Sequence, residues 1–124
     1  MKYLVMIYCD DRLLDALPEG EFDRRMKSCF GKVDALQTRG QLLDSQQLEG
    51  PATARTLRVR EGRTSVVDGP FAETKEYLGG FNLIEAADMD EAVRIASSLP
   101  WAQTGAIEIR PVRDMNQVRQ RVGA

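Results

Sequence analysis

The chain has 124 residues, with Lys+Arg 17 against Asp+Glu 19, a net charge of -2, 43% apolar and 29% charged residues. These values describe one globular domain over residues 1–124 with a single hydrophobic core; they exclude a disordered or fibrous chain and give no general attraction to nucleic acid or an anionic membrane. Histidine is absent, which removes a His-liganded zinc, a proximal haem ligand, a Ser-His pair and the usual neutral-pH base, so acid-base work would fall to Asp, Glu, Cys, Tyr or Lys with shifted pKa.

The first element, "KYLVMIY", reads as a strand that is apolar on both faces, with Tyr3, Val5 and Ile7 on one and Leu4, Met6 and Tyr8 on the other. Its apolar run is too short for a signal-peptide core or a membrane span. Cys9 and Cys29 are too few for a disulfide scaffold and match no metal spacing. A cytoplasmic protein with free thiols, no metal and no cofactor is the expectation. Tyr8, Asp10 and Asp11 close this strand, and Tyr8 and Asp10 are candidate ligand contacts at a cleft mouth; strand-end polarity is the plainer account of them.

Residues 19 to 39 place Phe22, Met26, Cys29, Phe30, Val33 and Leu36 on a helical period, with Gly40 positioned as a left-handed cap. "QLLDSQQL" follows as a second strand and "GPATA" as a loop. "RTLRVR" and "RTSVVD" then pair as a hairpin around Glu61-Gly62. Arg55, Arg58, Arg60 and Arg63 make this hairpin basic, yet no aromatic residue is interleaved among them and no helix is shaped for the major groove. Edge-strand gatekeeping accounts for them, and a nucleic-acid partner is not expected.

The segment "DGPFAETKE", residues 68 to 76, comes next. Pro70 lacks an N-H and forces Gly69 out of the helical region, so the chain turns sharply. Asp68 is expected to accept the N-H groups of Gly69, Phe71 or Ala72, while Phe71 packs as an apolar anchor. "YLGGFNLIEA" is another strand, in which Gly79-Gly80 marks a bulge or a close backbone approach. Asp88 to Glu91 has the form of a capping box for a second helix, with Met89, Ala92, Val93, Ala96 and Leu99 as its buried stripe and Pro100 as its stop. "AIEIRPV" alternates as a last strand, and residues 114–124 form a short helix or tail.

This order, strand-helix-strand, hairpin, strand-helix-strand, specifies an α+β ferredoxin-like fold: an antiparallel sheet with two helices on one face. The other face is left bare although the first strand is apolar on both. A second copy of the chain is the simplest cover. An interface of about 800 Å² per partner, at about 25 cal/mol per Å², outweighs an association cost of roughly 4 to 15 kcal/mol. A homodimer is therefore expected.

Candidate chemistry centres on Asp68. Partial desolvation at the end of "SVVD" would raise its pKa into the range of a general acid or base, and an internal backbone acceptor is the alternative. Glu73, Thr74, Lys75 and Glu76 bring carboxylates, a hydroxyl and an ammonium together, either as solvated loop charge or as contacts for a small polar ligand, with Thr74 and Lys75 as the binding candidates. Cys29 is either a thiolate nucleophile activated by Lys27 and Lys32 or a structural cysteine at the helix seam.

"DGPFAETKEYLGGFNLIEA", followed by "DMDEAVRIASSLP" and "IEIRPV", resembles the DGPF family of YCII-related proteins from "KYLVMIY" to "RPV". The resemblance implies a dimeric α/β barrel, in which two ferredoxin-like sheets pack face to face. It implies a cleft between sheet and helix as the site, and a link to extracytoplasmic-function sigma factors, beside or fused to which some members occur. Relatives commonly carry a histidine at the position of Cys29, so this chain departs from any chemistry built on a His-Asp pair. The resulting functional expectation is a small polar molecule bound or transformed without metal in a cleft next to the DGPF segment. The alternative is a non-catalytic regulatory or protein-interaction module.

Overall fold

The computed structural model describes residues 1–124. Strand β1 (Lys2–Asp10) leads through a single helical turn, α1 (Asp11–Asp15), into the long helix α2 (Glu21–Thr38). Strand β2 (Leu42–Gln47) follows, then a 3-10 turn at Pro51–Thr53 and the hairpin strands β3 (Arg55–Arg60) and β4 (Arg63–Asp68). Strand β5 (Glu76–Glu85), helix α3 (Met89–Ser97), a second 3-10 turn (Pro100–Thr104), strand β6 (Gly105–Pro111) and helix α4 (Met115–Val122) complete the chain. No helix is long and apolar enough to cross a membrane.

The main sheet has the order β2-β5-β1-β6 and every neighbouring pair is antiparallel. Each strand-helix-strand unit therefore skips one strand, which is the ferredoxin-like arrangement expected from the element order. The hairpin β3-β4 forms a separate two-stranded sheet.

Register sorts the side chains into two faces. Tyr3, Val5 and Ile7 pair with Ile84, Asn82 and Gly80 on one side and with Pro111, Ile109 and Ile107 on the other. This face packs under the helices: Tyr3, Val5, Ile84, Ala86, Ala92 and Ala96 form the core, with Leu42, Met89, Ile95, Ile107 and Ile109 around it. The opposite face carries Leu4, Met6 and Tyr8 against Leu83, Phe81 and Leu78, flanked by Asp44 and Gln46 on β2 and by Glu108 and Arg110 on β6. No helix covers it. It is an apolar centre with a polar border.

Helix ends follow local chemistry. Gly40 takes a left-handed φ of 73°, and the bonds from Gly40 N to Gln37 O (3.0 Å) and from Gln41 N to Leu36 O (2.9 Å) close α2 as the sequence suggested. At α3, the Asp88 carboxylate accepts the Glu91 N-H (2.8 Å), while the Glu91 carboxylate reaches back to the N-H of Ala87 (3.2 Å), one residue further than a standard capping box. Three positions of the expected helical stripes differ. Phe22 and Val93 are exposed and Phe30 is 59% exposed; Phe30 and Val93 each lie one residue beyond the half-buried Cys29 or the buried Ala92 of their helix, about 100° round the axis.

Gly79 and Gly80 serve both roles that sequence allowed. The β1-β5 register shifts between Ile7 and Tyr8, so that Ile7 faces Gly80, Tyr8 faces Leu78 and Gly79 is bulged out of the pairing. A Cβ on Gly79 would collide with Cys9 Sγ, and one on Gly80 would lie 2.8 Å from the Gln46 carbonyl oxygen. Gly105 is tighter still, since its Cβ would overlap the Tyr8 carbonyl. Gly105→Ala is expected to cost about 2–3 kcal/mol of stability through overpacking against backbone. Gly31→Ala, where a Cβ meets nothing on exposed α2, is expected to add up to about 1 kcal/mol. Urea midpoints of the two variants measure both.

Candidate functional site

Two Gly-Pro steps bracket the hairpin, Gly50-Pro51 before it and Gly69-Pro70 after it. Pro51 opens the 3-10 turn, where its missing N-H costs nothing. Gly69 adopts a left-handed φ of 100°. Its N-H donates to the Ala54 carbonyl (2.7 Å) and its carbonyl accepts from the Thr56 hydroxyl (2.8 Å), so the root of the hairpin is clamped.

The clamp leaves a cleft between the two Pro-containing segments and the end of the main sheet. A cavity of about 560 Å³ is lined by Tyr8 and Leu78 from the sheet, by Leu48 to Pro51 on one wall and by Pro70 to Ala72 with Thr74 on the other. A neighbouring cavity of about 330 Å³ shares Pro51, Pro70, Ala72, Thr74 and Tyr77 with it and adds Glu73. Tyr8 and Leu78 belong to the sheet face that no helix covers, so the cleft opens on the bare side of the sheet.

Tyr77 is the polar side chain that both cavities share with the Thr74 hydroxyl. Its phenol donates to the Asp11 carboxylate. That bond, helped by partial burial and by the negative charge of Asp11, pushes the Tyr77 pKa up to about 12. The phenol proton is thus committed to Asp11 and the oxygen lone pairs remain to accept from a ligand. Burial, with the Asp11 charge added, also pushes the Cys9 thiol up, which keeps it protonated and a poor nucleophile.

The residues singled out from sequence are only partly brought together. Tyr8 and Thr74 line the cleft, although the Thr74 hydroxyl donates to the Glu76 carbonyl. Asp10 is 3% exposed and caps α1, accepting the Arg12 N-H at 3.0 Å, so its carboxylate supports the site without facing it. Lys75 lies between two lining residues and is not itself one of them. Cys29 sits in the helical layer, where its sulfur accepts the Trp101 indole N-H at 3.3 Å. Trp101 in turn stacks against Phe22 with ring centroids 5.6 Å apart. Lys32, considered as an activator of that thiol, donates to the Ser98 carbonyl instead.

Asp68 corrects an expectation. Its side chain is 92% exposed and meets Arg55 at 3.4 Å with no backbone donor. The reason is that the Gly69 N-H, the nearest donor, is taken by the Ala54 carbonyl. Phe71 is likewise no anchor, being 78% exposed: the backbone clamp holds the turn without it, and the residue lines the cleft.

Sequence reasoning passed over Tyr77 and the Pro51 wall. The signal was present in the repeated Gly-Pro step and in the aromatic residue that ends the charged run. It also passed over polar groups beneath the helices: Asn82 and Thr104 are buried, and Arg25, whose Nε donates to Glu21 at 3.2 Å, keeps Nη1 buried without a partner. The guanidinium groups of Arg25 and then Arg24 hold the Glu21 carboxyl below its usual range. No group of three or more Cys, Asp or Glu side chains is arranged to hold a metal ion.

The YCII-related domain family matches residues 1–116. An uncharacterised protein of Rhizobium meliloti (strain 1021) is 40% identical over 114 residues, covering 90% of this chain and 92% of that relative. The chain belongs to the YCII-related family.

The Tyr77-Asp11 pair has a pH signature. Because the folded-state pKa is raised from 10.0 to about 12, the stabilisation is fully present below about pH 10 and is lost as pH rises through about 12. Ultraviolet titration of the tyrosines should show one late ionisation that moves towards 10 in Asp11→Asn. The stability difference between wild type and Asp11→Asn should vanish above pH 12.

Proposed function

We propose that this YCII-related protein acts as a homodimer that binds a small polar molecule in the cleft beside the DGPF segment, without a metal. The observation that carries the reading is the position of the cleft, at the end of an uncovered apolar sheet face. Leu4, Met6, Tyr8, Leu78, Phe81 and Leu83 form a continuous surface that a soluble monomer would leave in water, and its polar border matches the anatomy of a protein interface. Packing two such faces gives the dimeric α/β barrel, and it places the cleft mouth next to the second subunit.

The cavity volume is of the order that small-molecule sites occupy, and its walls combine apolar rings with a few polar groups. Tyr8, Thr74 and Tyr77 supply hydroxyl groups that fix a ligand, with Phe71 and Leu78 as apolar walls. Both cysteines are free, which supports a reducing compartment such as the cytoplasm.

The two faces of β1 make the dimer testable. Val5 is 1% exposed under the helices, so Val5→Asp is expected to abolish folding. Met6 lies on the bare face, so Met6→Asp is expected to leave a folded monomer. Light scattering at micromolar concentration should give twice the chain mass of 13.9 kDa for wild type and the single mass for Met6→Asp; a monomeric wild type would refute the dimer.

Ligand binding is checked by thermal shift against a metabolite library. A ligand at about 100 times its Kd stabilises by about 2.7 kcal/mol, which at roughly 3–6 °C per kcal/mol for a domain near this size raises Tm by about 8–16 °C. The shift should shrink in Tyr77→Phe. A library without a single hit would favour a non-catalytic interaction module instead.

A further inference from the structure

The β3-β4 hairpin stands apart from its own subunit. Its strands pair only with each other, and no helix or other strand makes extensive contact with it. An isolated two-stranded hairpin is marginal in water. Cross-strand pairing of Leu57 with Val66 and of Val59 with Thr64 makes one face largely apolar, and Leu57, Val59 and Val66 are all exposed. That face lacks a cover.

Charge supplies the direction. At the root, Arg55 is matched by Asp68. Towards the tip, Arg58, Arg60 and Arg63 make no ion pair. The cleft has the opposite sign: its lining includes Glu49, Glu73 and Glu76 and no lysine or arginine. The two surfaces are complementary, yet they cannot meet within one chain. Ala54 and Pro70, at the root, are themselves cleft residues, and the strands of six residues run away from it for about 20 Å. A paired ribbon does not bend back onto its own root.

A two-fold axis removes the obstacle, since each hairpin can then lie on the other subunit. Resting on the homodimer read from the bare sheet face, we infer that the β3-β4 hairpin is an arm exchanged between the two copies. Its apolar face covers the cleft mouth at Leu48 and Phe71 of the partner subunit. Arg58, Arg60 and Arg63 alternate onto the opposite face of the two-stranded ribbon, and their long side chains extend past its edges to pair with Glu49, Glu73 and Glu76 of the partner subunit. Each cleft is incomplete without the second chain, which brings the cations that its own lining lacks.

Charge reversal in trans tests this. Arg58→Glu/Arg60→Glu/Arg63→Glu and, separately, Glu49→Lys/Glu73→Lys/Glu76→Lys alter only exposed side chains. Each is expected to raise the dimer dissociation constant about tenfold or more in sedimentation equilibrium at low salt. Mixing the two variants should restore wild-type affinity, because in the mixed dimer both arm-cleft contacts are again of opposite sign. Dimers of unchanged affinity in both variants, or a mixture no tighter than its components, would overturn the arm while leaving the sheet-face dimer standing. A monomeric wild type would overturn both. Hydrogen exchange gives an independent reading: hairpin amides in the wild-type dimer should exchange about tenfold slower than in the Met6→Asp monomer, and equal rates would overturn the proposal.

Discussion

Strand β1 is hydrogen-bonded along both edges and apolar on both faces. On one side it pairs with β5 from Lys2 to Asp10, on the other with β6 from Tyr3 to Cys9. Tyr3 and Val5 fill the core, and Leu4, Met6 and Tyr8 make the centre of the bare face. Every other element is placed by its relation to this strand: the helices by the face that Tyr3 and Val5 present, the cleft by the end at Tyr8. The demand for close approach along it explains the glycines at 79 and 105, which lie against Cys9 and the Tyr8 backbone, while Gly80 makes the same room for β2 at the Gln46 carbonyl. Substitutions on the Tyr3 and Val5 side are tightly limited, because that face and both edges are committed.

Much of this was legible in the sequence, and the physical reason is period. Alternation in "RTLRVR" and "AIEIRPV", the helical spacing that ends at Gly40, and the Asp88 cap are local signals, and local chemistry decides them. The doubly apolar β1 announced a sheet with two faces to bury. What was not legible was competition between donors and acceptors. Asp68 and the Ala54 carbonyl both had claims on the Gly69 N-H; the backbone took it, and the aspartate was left to Arg55. Nothing in the string "DGPF" reports that Ala54 is near. Phe71 was misjudged for the same reason, since a turn already clamped by Ala54 and Thr56 does not need an apolar anchor. Tyr77 gained its character from Asp11, 66 positions away along the chain, which no window of sequence joins.

The site and the fold meet at the Gly79 bulge. Before it, Gly80 faces Ile7; after it, Leu78 faces Tyr8. The skipped residue sets which side chains of the strand end reach the cleft, so that Leu78 points to the bare face beside Tyr8 while Tyr77 is free to reach Asp11. A regular strand would have exchanged these two directions. The bulge is therefore what converts a sheet edge into a lined cleft, and its cost is contained by glycines that leave room for Cys9 and the Gln46 carbonyl.

The placement of β1 also has a consequence in time. Its neighbours on the sheet are distant in the chain, as the pairs Tyr3 with Ile84 and Tyr3 with Pro111 show. Contacts of such long range are slow to form, because loop closure must precede them. On a ribosome that adds roughly 5–20 residues per second, "YLVMIY" emerges ahead of β5 and β6 and waits several seconds for them. For that interval it is a six-residue apolar segment of high β-propensity without charge, the composition most prone to pair with another chain. The β3-β4 hairpin, whose contacts are all local, closes within microseconds of its synthesis. The nascent chain can thus pair its hairpin strands long before it has a sheet, and its most vulnerable stretch is the one on which the whole fold will later rest.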